Sequence, residues 1–194
     1  MRLFLAASPD ARARRRLAAV HEELARSLGD AVAAVRWVTV AAAHLTVHFL
    51  GEVDASRVPQ LIDALGDDLP VDPFDVALGP PEASPVRGLP RVVWMPVTAG
   101  REPLSRVHDA LGARLLGAGR SIEARPFTPH LTIGRVRDRE RDRASTLRAR
   151  LDGARTEASP IGWHVDRVTL FRSDLSGPSP VYDARHTIAL GRRT

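Results

Sequence analysis

Two short segments hold the residues of this chain best suited to chemistry. His44-Leu45-Thr46-Val47 is echoed 86 residues later by His130-Leu131-Thr132-Ile133. In a chain of 194 residues with 7 histidines, His-x-Thr should arise by accident about 0.4 times. Two copies, each with Leu in the middle and an aliphatic residue after, are not an accident of composition. Both lie in apolar, β-favouring runs. In a strand, residues i and i+2 share a face, so His and Thr project together while Leu45 and Val47, or Leu131 and Ile133, point to a core. Side by side, two such strands would offer two imidazoles and two hydroxyls to one cleft. Imidazole has an unperturbed pKa near 6.5, so the pair can supply a base and an acid near neutrality. The hydroxyls can donate to oxygens on which charge builds up. The substrate that suits this set is a phosphate ester.

Other candidates carry weaker signals. On an unbroken strand His48 shares a face with His44 and Thr46, but four residues along, roughly 13 Å away. It is expected at the cleft rim. A metal site of His44, His48 and His130 is conceivable, yet no neighbouring carboxylate supports it, and no metal or other cofactor is expected. His21, His108, His164 and His186 lack partners at metal-ligand spacing and read as surface or structural residues. Phe127 either stacks on a nucleobase or packs ahead of the second motif strand. Trp37, Trp94 and Trp163 sit in apolar strands and read as core.

The surrounding pattern supplies the elements that must position these groups. Arg2 to Ala7 reads as a strand. Ser8-Pro9-Asp10 then offers an N-cap with Pro at the first helical position, ahead of Ala13, Leu17, Val20, Leu24 and Leu28 at helical spacing. Val35 to Val40 and His44 to Leu50 are strand-like, and a second helix covers about Asp54 to Leu65. Phe74 to Leu78 is a strand, and the Pro/Gly/Ser-rich stretch to Pro90 a loop. The order then repeats, with a strand over Arg91 to Val97, a helix from about Pro103, the motif strand His130 to Val136, and an Arg-rich helix to about Leu151. Two last strands, Trp163 to Arg172 and Val181 to Leu190, flank a turn at Ser176 to Pro180. The expectation is an α+β fold, residues 1–194 forming one domain of two pseudo-symmetric lobes. Each lobe would be a mixed or antiparallel sheet flanked by helices, with the cleft between them.

Composition narrows the class. Hydrophobic residues at 44% and charged residues at 26% are ordinary for a soluble globular protein. With no cysteine there are neither disulfides nor thiolate metal sites. The first apolar run is too short for a membrane span, and a cytoplasmic monomer is expected. All basic residues are arginine, and the net charge of +5 favours polyanionic partners. The densest stretch, Arg135 to Arg155, has interleaved acids and reads as a solvated helical face rather than an RNA patch.

The chain resembles the two-histidine phosphoesterases, most closely the bacterial RNA 2',3'-cyclic phosphodiesterases, also called 2'-5' RNA ligases. The likeness rests on both motifs and on Arg2-Leu3-Phe4, His48-Phe49-Leu50-Gly51, Arg125-Pro126-Phe127-Thr128-Pro129 and Leu170-Phe171-Arg172-Ser173-Asp174-Leu175. It departs just before the first motif, where Ala41-Ala42-Ala43 replaces the family's Pro/Asn-containing turn. The resemblance implies metal-independent hydrolysis of cyclic-phosphate RNA ends, or of cyclic nucleotides, to 2'-phosphates, with weak 2'-5' ligation in reverse. His130 is taken as proton acceptor and His44 as proton donor, although the symmetry of the motifs leaves the exchange open. Thr46 and Thr132 would hold the phosphate. Arg135 matches a family arginine for the same task, but strand parity turns it away from His130 unless a bulge intervenes. The alternative is a non-catalytic module of the same fold that binds a nucleotide or RNA end.

Overall fold

A computed structural model describes residues 1–140, 145–153, 160–177 and 180–191. Eleven strands join into one sheet: β1 (Arg2–Ala7), β2 (Val35–Trp37), β3 (Leu45–Glu52), β4 (Asp68–Leu69), β5 (Phe74–Leu78), β6 (Glu82–Ser84), β7 (Val92–Ala99), β8 (His130–Val136), β9 (Ile161–Val165), β10 (Arg167–Asp174) and β11 (Val181–Leu190). The helices are α1 (Ala11–Ser27), α2 (Val58–Leu65), α3 (Arg101–Gly117) and α4 (Leu147–Gly153). The main path through the sheet runs β4-β11-β10-β1-β3-β8-β7-β5-β9, with β2 beside β8 and β6 beside β7. Every pairing is antiparallel except β11 with β4. This is the α+β architecture that the sequence predicts. No described helix is long and apolar enough to cross a membrane.

The two motif strands meet at the middle. β3 and β8 pair antiparallel through Leu45 and Leu131, both fully buried. β1 flanks β3, and β7 flanks β8. Each outer half is then completed from the other half of the sequence: β5 precedes β7 in the chain yet pairs with it, while β10, from the C-terminal end, pairs with β1. The sequence reading takes Trp163 to Arg172 as one strand. The structure divides it at Asp166 into β9 and β10, which lie in different halves of the sheet.

Helix boundaries follow local chemistry. Asp10, rather than Ser8, caps α1, its carboxylate accepting the Ala13 N–H at 2.7 Å. Ala13, Leu17 and Leu24 then form the buried face. The expected helix from Asp54 begins as a 3-10 turn and becomes α2 only at Val58. The expected strand to Val40 ends at Trp37 and gives way to a 3-10 turn over Val40–Ala42. At Gly100 the backbone is left-handed (φ +79°), and a Cβ there would overlap the Asp75 carbonyl, so only glycine makes this turn into α3. The expected Arg-rich helix is a 3-10 turn at Asp138–Glu140 and the short α4, and part of it lies outside the described residues.

Candidate active site

The antiparallel seam arranges the motifs head to tail. With Leu45 opposite Leu131, the same register sets His44 opposite Thr132 and Thr46 opposite His130. The two histidines are then diagonal neighbours, with a spacing of roughly 7–8 Å. That gap is suited to one phosphate between the rings. Leu45, Val47, Leu131 and Ile133 are buried on the other face, while both His and both Thr are half-buried on the cleft face.

Each imidazole is fixed in the same way. The Nδ1–H of His44 donates to the carbonyl of Ala42 at 2.7 Å, and that of His130 to the carbonyl of Thr128 at 2.7 Å. A carbonyl only accepts, so Nδ1 carries the proton and Nε2, at the far end of the ring, is left with its lone pair. The alanines before the first motif do not disturb this, because the contact is made by backbone. That turn is held from outside: Arg14 on α1 donates from Nη1 to the carbonyls of Val40 and Ala41, each at 2.8 Å, and from Nε to Pro9 at 3.0 Å.

Burial pushes both imidazoles below the ordinary histidine pKa, only partly opposed by the backbone hydrogen bonds. The Arg135 guanidinium pushes both further down, and His130 and Arg14 add to the effect at His44. Arg135 therefore acts on the face that bears both histidines. The reason is a bulge. Val93 pairs with Gly134 but Trp94 with Thr132, which leaves Ile133 as an extra residue in β8 and reverses the alternation beyond it.

β3 contains a matching irregularity, the first of two along its pairing with β1. Leu5 pairs with His48 and Ala6 with Thr46, so Val47 is the extra residue. This overturns the expected placement of His48. Beyond the bulge it turns away from the cleft and is 5% exposed, hydrogen-bonded from Nε2 to the His108 carbonyl at 2.8 Å. Its ring stacks on that of His108 at 4.1 Å, and His108 stacks on Phe127 at 4.3 Å. His44, His48 and His130 therefore do not converge. One face of Phe127 is occupied by His108. Phe49 takes the cleft face instead and is 58% exposed. Phe49 and Arg135 each lie five residues after a motif histidine.

The sequence reading missed an aromatic surface around His44. Phe49, Phe4 and Phe171 lie side by side on β3, β1 and β10, with Phe4 paired directly with each of the others. The Phe4 ring is 4.8 Å from His44, and Tyr182 meets His44 edge-on at 5.2 Å. Trp94 lies 4.4 Å from the His130 ring and is half-buried, which corrects its assignment to the core. Trp37 is likewise half-buried, beside His21, whereas Trp163 is buried as expected.

A family model described as the 2'-5' RNA ligase superfamily matches residues 14–177, a span that contains both motifs. The chain belongs to that superfamily. As a member of the 2'-5' RNA ligase superfamily it is an enzyme, and its relatives carry a consistent name. The RNA 2',3'-cyclic phosphodiesterase of Methanothermobacter thermautotrophicus is 28% identical over 184 residues, covering 94% of this chain and 95% of its own. That of Archaeoglobus fulgidus is 30% identical over 148 residues, covering 76% and 80%. Among solved structures, TT0787 of Thermus thermophilus superposes with a TM-score of 0.69 at 26% identity, with both chains fully covered. Escherichia coli LigT complexed with 3'-AMP gives a TM-score of 0.73 at 23% identity over 98% of each chain and shares the fold.

Proposed function

We propose that this protein hydrolyses the 2',3'-cyclic phosphate at RNA ends to a 2'-phosphomonoester by acid–base catalysis between His44 and His130. The observation that carries the reading is the matched fixing of the rings, with both Nδ1 protons committed to backbone carbonyls, so that each Nε2 is the ring nitrogen left for chemistry. Water attacks phosphorus. His130 Nε2 takes a proton from that water as the new P–O bond forms, the P–O3' bond breaks, and His44 Nε2 delivers a proton to O3'. Thr46 and Thr132 donate to the non-bridging oxygens, and Arg135 supplies the positive charge that meets the developing negative charge. None of these steps requires a metal. Among the described residues, no group of three or more His, Cys, Asp or Glu gathers as metal ligands.

A free ring near neutrality favours the base form, since burial lowers both pKa values. Binding of an anionic phosphate raises them again and restores a proton to one ring. The aromatic surface beside His44 suits a nucleobase, and Phe49 is the member with an open face. Phe127 keeps at most its second face for such a role. Run in reverse, the same groups join a 2'-phosphate end to another RNA end, so weak ligation belongs to this reading by microscopic reversibility.

The test is incubation of a cyclic-phosphate oligonucleotide with the enzyme in excess EDTA, followed by identification of the product. Accumulation of the 2'-phosphate is expected. A 3'-phosphate would reverse the assigned leaving group, and tight binding of nucleotides with no turnover would select the binding-module reading.

A further inference from the structure

Arg36 is the middle residue of β2 and pairs directly with Arg135 of β8. Opposed residues of an antiparallel pair project to the same face with Cβ atoms about 4.5–5.5 Å apart, and like charges so placed repel. Val35 and Trp37, on either side, project to the opposite face, where they fill the space a Cβ at Gly134 would need. The arrangement therefore holds Arg36 on the face of Arg135, His130 and Thr132. Both arginines are exposed, and neither has an ion pair or hydrogen bond within the described residues. Two facing guanidinium groups without a counter-ion are a poor arrangement for stability alone. They become favourable when an anion bridges them, and a guanidinium fork matches phosphate oxygens.

The location says which phosphate. β3 and β2 follow one another along the same edge of β8, Leu45 opposite Leu131 and Arg36 opposite Arg135. The bulge takes up one of the three steps from Thr132 to Arg135, since their partners Trp94 and Val92 are two apart on β7, which sets Arg36 roughly 7 Å along the strand from the His/Thr seam. That is outside the grip on the reacting phosphorus but near enough for its neighbour in a nucleic-acid chain.

We propose that Arg36 binds the phosphodiester adjoining the reacting cyclic phosphate, sharing the intervening charge with Arg135, so that the preferred substrate is an RNA strand end and not a cyclic mononucleotide. The inference rests on the phosphodiesterase reading above. It is tested with Arg36→Gln on two substrates, a 2',3'-cyclic mononucleotide and a cyclic-phosphate-ended oligonucleotide, across a range of salt. For the oligonucleotide, kcat/KM is expected to fall about ten-fold through KM, with the logarithmic salt slope shallower by about 0.7. For the mononucleotide no change is expected, and Arg36→Lys should recover part of the loss. Equal loss on both substrates, or none on the oligonucleotide, overturns the proposal. Equilibrium binding of 2'-phosphate-ended oligonucleotide and mononucleotide decides the point independently of turnover. Wild type should prefer the oligonucleotide and R36Q should not. Absence of turnover by wild type with that preference intact would count against the phosphodiesterase reading alone.

Discussion

The two motif imidazoles, His44 and His130, differ from surface histidines in two respects, a committed Nδ1 proton and a pKa lowered chiefly by burial. The pH profile follows from the second. In the proposed mechanism, kcat/KM needs one neutral and one protonated ring in the free enzyme. Because both titrate below the ordinary value of 6.5, the profile should peak on the acid side of that value. Substrate binding raises both pKa values, so the kcat profile should peak at higher pH than that of kcat/KM. Arg135 lowers both pKa values. Its replacement in Arg135→Gln should therefore move the kcat/KM peak to higher pH while lowering its height about a hundred-fold. A peak that stays in place would show that the guanidinium does not face the rings. Arg14 acts one step removed, through the turn that carries Ala42. Arg14→Met should reduce kcat about ten- to a hundred-fold with KM little changed, and Arg14→Lys should restore part of it. A loss confined to KM would contradict a positioning role. The His/Thr pairs were legible in the sequence because they repeat. Arg14 was not, since its partners are backbone carbonyls 26 and 27 residues away that leave no side-chain pattern.

At the level of the elements, an extra residue just after each His/Thr pair, Val47 in β3 and Ile133 in β8, decides which side chains reach the cleft. Strict alternation would send His48 to the cleft and Arg135 away from it, and the bulges at Val47 and Ile133 exchange these outcomes. The sequence does hold a trace of this. Leu45, Val47 and Leu50 are spaced by two and then three, and so are Leu131, Ile133 and Val136. A strand whose apolar positions slip from two to three contains one residue too many for its pleat. The bulge in β8 also sets a tight contact at Gly134, where a Cβ would overlap Val35 and press on Trp37. Gly134→Ala is expected to cost about 1–3 kcal/mol in denaturant unfolding. It should also lower activity, because the strand that carries His130 and Arg135 must shift. A neutral substitution would mean that β2 yields easily and does not brace the site. Capping was less legible. Pro9 drew the cap to Ser8, although the carboxylate of Asp10 is the group that reaches the Ala13 N–H.

Over the whole molecule, the halves of the sheet are not independent. β5 completes the half built on β7 and β8, and β10 completes the half built on β1 and β3, so each half contains a strand from the other half of the sequence. Leu45 and Leu131 bury the seam between them. Unfolding should accordingly be one cooperative transition with coincident probes, and two resolved transitions would contradict this coupling. Leu131→Ala should destabilise the whole protein by about 2–5 kcal/mol rather than loosen one half. The repeat of strand, helix and motif strand was visible in the sequence, as was the α+β class. The exchange of outer strands was not. Nothing in the apolar run from Ile161 to Phe171 marks Asp166 as the point where the chain leaves one half of the sheet for the other, because pairing partners are set by long-range packing. The short β4 escaped for the same reason, being two residues held by parallel pairing to β11.

In the proposed mechanism two fixed imidazoles work on one phosphorus atom as a unit. Single-turnover hydrolysis of a cyclic-phosphate oligonucleotide by His44→Ala, His130→Ala and the double variant tests it most directly. Each single change should slow the reaction about a hundred- to ten-thousand-fold, and the double variant should be little slower than either. Full activity in either single variant, or losses that simply multiply in the double, would contradict it.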